Sequence, residues 1–345
     1  MRLHVLLILA ALVGPARPAD AFTVGSAFAD FCHERMAMKA YFGENPLPDR
    51  NYDVSVPQDQ TWIKVARYLE EKLKLSPRDD LDRMALISLF IGERWPDQQD
   101  FAIFDLKKLR QVHLSQREQY EHALRSPADD YAQGDKQAIT KTHLFILDLV
   151  EQSYKTYHSK NKKVRIQEVE FYLEHYGQIK VKVWMPLFLL GRASHALQDS
   201  FTHTYRSDDF SAIYAVGNFI EGISDDHDEA RDGPKHSEHL DTCNEPEIKP
   251  LADAATKATR ELLGATRLYW KTGDRTKVEA VLKKHLAYKA GCGLEADYCG
   301  SKWARLAKKS ESSAPFSCAA NGDAHADLAG LLVVLVLTLM RKRSR

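Results

Sequence analysis

The segment from Trp184 to Tyr205, WMPLFLLGRASHALQDSFTHTY, constrains the fold of this chain more than any other. Its apolar run, Leu187 to Leu190, favours burial in a core. Pro186 suits the first turn of a helix, where its missing N–H costs no hydrogen bond. We therefore predict that this segment forms a buried helix around which the remaining elements pack.

Three ligand-type residues, His195, Asp199 and His203, follow one another in this segment at intervals of four. Each step of four drifts only about 40° around a helix axis, so the three side chains would lie on nearly one stripe. Imidazole and carboxylate groups on a rigid scaffold are typical of zinc sites. An ordinary hydrogen-bonded His–Asp pair is the alternative, and ligands elsewhere in the chain must decide between them.

Composition narrows the class of protein. The 345 residues include 48 Lys and Arg against 48 Asp and Glu, which argues against a broad electrostatic surface for nucleic acid. Hydrophobic residues make up 44% of the chain, as in a packed globular protein. The sequence predicts one all-α domain over residues 22–300, with one β-hairpin as its only strand structure.

The N-terminus has the pattern of a secretory signal peptide over residues 1–21. Arg2 is followed by an apolar stretch from Val5 to Val13 and by the small-residue cleavage pattern Ala19-Asp20-Ala21. The mature chain would then begin at Phe22. A signal anchor is the alternative, but the apolar stretch is too short to span a bilayer. We expect an exported protein, periplasmic or at the cell surface.

Five cysteines would then lie in an oxidising compartment. Cys292 and Cys299 share one short loop and are expected to pair, and Cys32 could form a long-range bridge with Cys243. Cys318 is left over. A cysteine-based zinc site is the rival interpretation, but the chain has no CxxC spacing to support it.

The C-terminal residues resemble another kind of signal. Residues 301–327 are polar and are predicted to form a flexible linker. The tail, residues 328–345, joins the apolar run Leu328 to Met340 to the basic end RKRSR. With Cys318 upstream, it resembles the sorting tails of myxobacterial surface proteins, and a plain tail anchor is the alternative.

Hydrophobic periodicity predicts most of the secondary structure. The predicted helices are Ala27–Phe42, Asp59–Leu75, Asp79–Ile91, Phe101–Val112, Ser115–Leu124, Lys136–Tyr157, Phe210–Ile220, Leu251–Trp270 and Arg275–Lys289. Residues from Val164 to Trp184 alternate in polarity around Tyr176-Gly177, which favours a β-hairpin, with a continued helix as the competing prediction.

Further ligand-type residues lie on both sides of the central segment. His33, Asp97 and His113 precede it, and each alone is explained as well by an ordinary structural role. His122 is a rival of His113, but the helix predicted around it is strongly polar, a pattern that indicates an exposed position. After the central segment, SDDHDEARDGPKHSEHLD offers His236 as first choice and Asp241 as second, in what is otherwise an acidic loop.

The order of these residues resembles that of the zinc-dependent phospholipase C and single-strand-specific nuclease superfamily. SLFIGERWPD is similar to one motif of this family and GRASHALQDSFTH to another, and the resemblance covers residues 22–241. It implies an exported all-helical fold that binds two or three zinc ions. The resemblance implies one set of ligands for each zinc ion. The first ion would be held by His33, Asp199 and the α-amino and carbonyl groups of Phe22. The second would be held by Asp97, His113, His195 and a bridging Asp199, and the third by His203, His236 and Asp241.

The chain departs from the family pattern at three points. The expected mature N-terminus is Phe22 where the family has Trp, and only its backbone atoms would be needed. His203 follows the bridging Asp199 two residues sooner than in most members, and the final His-x-x-x-Glu motif is absent. Three alternatives therefore remain open: an enzyme with three zinc ions, an enzyme with two zinc ions, and a non-catalytic relative that only binds its ligand.

The resemblance implies phosphodiester hydrolysis by metal-activated water, with Asp97 orienting or deprotonating that water. A phospholipase C-like activity on phospholipid, at a membrane surface, is the first expectation. A single-strand nuclease and a non-catalytic zinc-containing cell-surface protein are the alternatives. The aromatics Phe201, Tyr205, Phe210 and Tyr214 could form a lipid-facing rim, stack nucleic-acid bases, or simply belong to the core.

Overall fold

The computed structural model describes residues 31–44, 56–101, 105, 107–108, 112, 119–127, 129, 133–173, 176–219 and 226–313. The predicted signal peptide, Phe22, His113, Cys318 and the predicted tail lie outside these residues. Within them, no helix is both long and apolar enough to cross a bilayer.

The described part of the chain is mostly helical, as the sequence predicts. Its α-helices are α1 (Cys32–Glu44), α2 (Gln60–Leu73), α3 (Asp80–Arg94), α4 (Gly134–His158), α5 (Lys162–Arg165), α6 (Met185–Thr202), α7 (Glu229–Asp232), α8 (Lys249–Thr272), α9 (Thr276–His285) and α10 (Lys302–Ser313). Two 3-10 helices, Gln119–His122 and Leu294–Gly300, complete the helical elements. The first of them lies where the helix Ser115–Leu124 was expected.

The predicted hairpin is confirmed. Strands β1 (Ile166–Leu173) and β2 (Gly177–Trp184) pair antiparallel, with Val169 opposite Val181. Gly177 turns the chain with a φ of 70°, a backbone conformation in which glycine meets no steric penalty. The hairpin then leads directly from Trp184 into α6.

The helix predicted over Phe210–Ile220 is wrong. Instead β3 (Thr204–Arg206) pairs antiparallel with β4 (Ile213–Val216). Ile213 also exchanges backbone hydrogen bonds with the segment after α9, donating to Ala287 at 2.7 Å and accepting from Lys289 at 2.9 Å. Short apolar runs do not distinguish helix from strand by periodicity, and these long-range bonds decided the conformation.

Helix α6 is the centre of the fold, as predicted. From Pro186 to Thr202 every residue except Arg192 is buried, and α3, α4 and α8 surround the helix. In a helix that is buried on all sides, polar side chains such as His and Asp are stable only if they have hydrogen-bond, ionic or metal partners. Its neighbours therefore have to supply those partners.

Two glycines allow α3 and α6 to approach each other closely. A methyl group on Gly92 would lie 2.1 Å from the carbonyl oxygen of Phe188, and one on Gly191 would lie 2.5 Å from that of Leu89. These distances are far below van der Waals contact, so the crossing requires hydrogen at both positions. The close crossing brings the C-terminal end of α3 next to the ligand-type residues of α6.

Buried Arg206 closes the C-terminal end of α6. Its guanidinium donates to the carbonyl of Ser200 at 2.8 and 2.9 Å and to the carbonyl of His285 at 2.9 Å. It also lies 4.0 Å from the ring centroid of Phe201. Burial lowers the pKa of Arg206 to about 9. The residue thus satisfies helix-terminal carbonyls that would otherwise be buried without donors.

The first part of the segment 301–327, which was predicted to be a flexible linker, is helical. Residues Lys302–Ser313 form α10, on which Trp303 is fully buried, and the main compact unit extends to Lys308. Helix α10 buries only one narrow face, formed by Trp303, Ala304 and Ala307. The rest of the segment is therefore polar, and this composition suggested a linker.

Both predicted disulfides are present. Cys32 bonds to Cys243 across 211 residues, and Cys292 bonds to Cys299 within one loop.

Candidate metal centre

Asp199 is surrounded by histidines from three separate parts of the chain. Its Oδ1 lies 3.1 Å from Nε2 of His33 on α1. Its Oδ2 lies 3.1 Å from Nε2 of His195, one turn earlier on α6, and 3.1 Å from Nδ1 of His122 in the first 3-10 helix. All four side chains are buried. Such a set of nitrogen and carboxylate donors is what a divalent transition metal requires.

Asp97 joins this cluster from the turn after α3. Its Oδ1 lies 3.6 Å from Nε2 of His195 and 3.5 Å from Nδ1 of His122. The close crossing of α3 and α6 explains its position, because Asp97 lies one turn beyond the glycine contact. Two groups of ligand-type residues, His33–His195–Asp199 and Asp97–His122–His195, could each hold a metal ion.

His122, which the sequence offered only as a rival of His113, contributes an imidazole to this cluster. His122 was expected to be exposed, because its neighbours are polar, but only 2% of its surface is accessible. The surrounding 3-10 helix packs against α4 and α6, and its Gln119 is buried as well. No local pattern could have revealed this burial, since it comes from contacts with distant helices. His113 lies outside the described residues.

The second predicted cluster, His203–His236–Asp241, also assembles. Nε2 of His203 lies 3.4 Å from Oδ1 of Asp241, and Nε2 of His236 lies 2.6 Å from Oδ2. The helical stripe was predicted to include His203, but α6 ends at Thr202 and His203 is its C-cap residue. His203 Nδ1 still lies 3.9 Å from Oδ2 of Asp199, so the two clusters are adjacent.

Hydrogen bonds to the far side of two histidines orient their rings. Nδ1 of His33 lies 2.8 Å from Oε1 of Gln198, and Nδ1 of His203 bonds to the backbone carbonyl of His122. Because both acceptors are oxygens, each Nδ1 carries the proton, and each Nε2 then directs a lone pair at a carboxylate. That arrangement is unfavourable unless a proton or a metal cation lies between them.

Charges within the cluster follow from burial and from close neighbours. Burial by itself would raise the pKa of Asp199, but His195, His203 and His33 outweigh it and hold that pKa well below its usual range. Burial lowers the pKa of His195 to about 3, which keeps this imidazole neutral, the form that binds metals.

Two acidic residues near Asp199, Glu93 and Asp97, show the opposite effect. Burial, with Glu34 and Asp199 nearby, raises the pKa of Glu93 well above its usual value. Burial also raises the pKa of the Asp97 carboxyl. Concentrated buried carboxyl groups disfavour each other's ionised form, and a bound cation is one way in which proteins offset that cost.

The second cluster tests directly whether the residues fit a metal ion. His236 and Asp241 lie close together, but their geometry is not that of a hydrogen bond. Within the described residues no hydrogen bond is made by four buried atoms of this cluster: Nε2 of His203, Nε2 of His236 and the two carboxylate oxygens of Asp241. Buried polar atoms without hydrogen bonds are costly and rare. An ion bound between the three side chains would satisfy these atoms together.

No known protein-family model matches the chain, and comparisons with curated proteins and with solved structures find no match either. The assignment of the site therefore rests on its geometry.

A supporting layer connects the cluster to α8 and α3. The Gln198 amide that accepts from His33 donates through Nε2 to Thr259 Oγ1 at 3.1 Å and to Glu93 Oε1 at 3.3 Å. Such outer partners fix the orientation and tautomer of a ligating histidine. The sequence reasoning missed Gln198, although its position one residue before Asp199 places it on the neighbouring face of the same helix.

The long-range disulfide joins the two ends of the site. Cys32 immediately precedes His33, and Cys243 follows Asp241 by two residues. The bond therefore ties one ligand-bearing segment of each cluster to the other. Closing a loop of this length also removes conformational entropy from the unfolded chain.

The aromatic side chains near the site do not form the expected rim. Phe201 and Tyr205 are 1% and 4% exposed and belong to the core. Phe210 packs on Trp303, with ring centroids 5.2 Å apart. Core packing, the third of the sequence-based alternatives, describes these three residues.

One more group of ligand-type residues, His239 with Glu245 and Glu247, lies nearer the surface. Its distances are 3.2 Å and 2.9 Å between the imidazole nitrogens and the two carboxylates. Both carboxylates are over 40% exposed, so these contacts are ordinary solvated ion pairs and need no metal to explain them.

Proposed function

We propose that this protein is a zinc-dependent phosphodiester hydrolase, most similar in chemistry to phospholipase C. The observation that carries the proposal is the buried Asp199 carboxylate with imidazole nitrogens of His33, His122 and His195 each 3.1 Å away. The adjacent His203–His236–Asp241 group adds a second set of ligands beside the first. Closely spaced cations are the usual arrangement for in-line displacement at phosphorus.

Each chain segment would have a separate role in this site. Asp199 would bridge, because its two oxygens face different histidines. His33 and His203 would be held as Nε2 ligands by Gln198 and by the His122 carbonyl. Zinc, when bound, would supply Lewis-acid polarisation of a phosphoryl oxygen and hydroxide at neutral pH.

Asp97 would orient the attacking water or accept its proton. It reaches the cluster from the turn after α3 rather than from α6, and its Oδ1 is 3.5–3.6 Å from two histidine nitrogens. Its contacts are thus longer than those of Asp199. A carboxylate at the margin of a metal cluster is well placed for proton transfer, which needs a group within hydrogen-bond reach of the water.

The metal content of the purified protein tests the first part of the proposal. We expect two to three zinc ions per chain by elemental analysis, and one fewer in Asp241→Asn. His122→Ala should lose zinc, whereas the matched variant His143→Ala, which removes an imidazole outside every candidate metal group of the described residues, should retain it. Less than one zinc per chain in the wild type would refute the metal cluster, and equal losses in the two histidine variants would refute the assignment of His122.

Activity assays test the second part. A choline phosphodiester, phospholipid vesicles and single-stranded DNA should be compared with and without a chelator. We expect chelator-sensitive hydrolysis of the lipid, and Asp97→Asn should lower kcat by about 100-fold or more in assays at saturating zinc. Preferred cleavage of DNA would support a nuclease instead. Full zinc content with no hydrolysis of any substrate would support a non-catalytic cell-surface protein.

Export and the α-amino ligand can be tested together. The proposed secretory signal predicts an exported protein whose chain begins at Phe22, and the two disulfides are compatible with an oxidising compartment. N-terminal sequencing of the exported protein should give Phe22 first. One additional residue ahead of Phe22 should weaken activity if the α-amino group is a ligand, and an unchanged activity would exclude that role.

A further inference from the structure

A cavity of about 940 Å³ lies between α1, the end of α2 and α8, and we call it the basic groove. Five cationic side chains line it: Arg35, Lys39, Lys74, Lys257 and Arg260. The volume is in the range of ligand-binding sites in proteins. Although the whole chain has balanced charge, this concave surface is strongly positive, and a concave shape concentrates that potential.

The two carboxylates of the basic groove are engaged by cations outside its lining. Glu261 accepts from Lys284 Nζ at 2.7 Å and from His285 Nε2 at 2.7 Å. Asp253 pairs with Lys249, four residues earlier on α8. In the described part of the chain, no ion pair to a carboxylate is formed by Lys39, Lys74, Lys257 or Arg260. The positive charge of these four side chains is therefore not neutralised from within the groove.

Arg260 provides a second and independent sign of a ligand. Its Nε is buried, and none of the described residues accepts a hydrogen bond from it. The guanidinium lies directly over Gly43 on α1, where an added methyl group would be 2.5 Å from Nε. A buried N–H donor without an acceptor is costly, and a small rotation of this guanidinium towards an anion in the groove would give it one.

The basic groove is separate from the metal cluster. His33 and Arg35 are two residues apart on α1, so their side chains point in directions about 200° apart. On α8 the same division holds, since Thr259 contacts Gln198 of the cluster while Arg260 lines the groove. A ligand in the groove would therefore bind behind α1 and α8, away from the candidate metal centre.

Apolar residues next to these cations indicate what kind of anion fits. Phe42 is 46% exposed, and the half-buried Leu73 and Leu75 lie on the facing side of the groove. Exposed aromatic side chains beside Lys and Arg are typical of surfaces that contact lipid head groups. An inorganic anion would use the cations alone and would leave these apolar surfaces exposed.

We infer that the basic groove binds the phosphate of an anionic phospholipid, with Arg260 and Lys257 on the phosphate and Phe42 against the apolar portion. The groove would hold the protein at an anionic membrane surface. This site is additional to the proposed hydrolytic site and does not depend on it.

The test is binding of the full protein to phosphatidylglycerol–phosphatidylcholine vesicles, measured by co-sedimentation in the Asp97→Asn background so that lipid is not consumed. We expect much tighter binding than to pure phosphatidylcholine. Lys39→Ala with Lys257→Ala should weaken it about fivefold per lysine at low salt. The matched control, Lys180→Ala with Lys277→Ala, removes two exposed lysines elsewhere and should have little effect.

Further measurements separate the sources of the anion and guard against misfolding. Gly43→Ala should weaken vesicle binding by displacing Arg260, with no change in the circular dichroism spectrum. The groove variants should also unfold at the wild-type denaturant midpoint, so that weaker vesicle binding does not reflect a loss of folding. Equal binding to both vesicle types, or equal losses in the control pair, would overturn the inference. Displacement from vesicles by millimolar inorganic phosphate as effectively as by dihexanoyl phosphatidate would assign the groove to free phosphate instead.

Discussion

Replacing Gly191 by alanine tests whether the close crossing of α3 and α6 builds the site. The new methyl group would lie 2.5 Å from Leu89 O, 2.7 Å from Glu93 N and 2.8 Å from Gly92 C. Ordinary contact begins at 3.4 Å, so α3 would have to move away by about 0.9 Å. All three obstacles are backbone atoms, which cannot rotate aside as a side chain can.

The magnitude follows from two opposing effects. Overpacking of a core costs about 1–3 kcal/mol, and a clash with helix backbone belongs at the upper end of that range. Alanine in place of a helical glycine contributes about 1 kcal/mol in the opposite direction. We therefore expect a net loss of about 2 kcal/mol in the free energy of unfolding. The decrease in Tm should be about 3 °C, because an unfolding entropy of about 2.1 cal/mol/K per residue is large for a chain of 345 residues.

The same displacement should affect the candidate metal centre. Asp97 is carried by the end of α3, whereas His195 and Asp199 belong to α6, so a shift of about 0.9 Å between the helices separates ligands of one cluster. Metal–ligand distances tolerate only about 0.2 Å of change. Zinc affinity should then fall by about 10- to 100-fold, a loss typical of disturbed ligand geometry.

Denaturant unfolding of the metal-free protein and zinc competition against a fluorescent chelator measure the two effects separately. Gly293→Ala is the matched control, because nothing lies within 4 Å of the added methyl group and its φ of −77° suits any residue. A stable Gly191→Ala protein with unchanged zinc affinity would refute the argument that this crossing positions Asp97. Equal losses of stability and zinc affinity in Gly293→Ala would show that the effect of alanine does not come from the crossing of α3 and α6.

Three further predictions concern single side chains. Asp199→Asn should abolish binding of at least one zinc equivalent in elemental analysis, and retention of all zinc would contradict its bridging role. Arg206→Met should destabilise the protein by about 3 kcal/mol in denaturant unfolding, because buried carbonyls at two helix ends lose their donors; a loss below 1 kcal/mol would contradict this. Burial alone would raise the pKa of Asp82, but hydrogen bonds from Arg78 and Tyr41 outweigh it and hold that pKa below its usual value. Asp82 therefore stabilises the fold at pH values above its unfolded pKa of about 3.8, and this contribution is lost as the pH falls through the folded pKa. Wild-type unfolding free energy should therefore drop at acidic pH more steeply than that of Asp82→Asn, and parallel curves would refute the assignment.

The central helix was predictable because its determinants are local. The apolar run, Pro186 in the first turn and the four-residue spacing of His195 and Asp199 are all contained in one segment. The alternating residues on both sides of Gly177 are equally local, so the hairpin could be predicted with nearly its observed ends. Periodicity failed at Phe210–Ile220, where backbone hydrogen bonds to residues after α9 selected a strand.

The sequence alone determined which residue types are present, the helical segments that carry most of them, and the order along the chain of His33, Asp97, His195, Asp199 and Asp241. Only the tertiary structure could select His122, because its burial comes from packing against α4 and α6 and leaves no mark on its polar neighbours. The same holds for the position of His203, which joins its cluster from beyond the end of α6. Ligand spacing on one helix is fixed by the helix itself, whereas ligands from different segments meet only where close packing, such as that of Gly92 against α6, brings their backbones together.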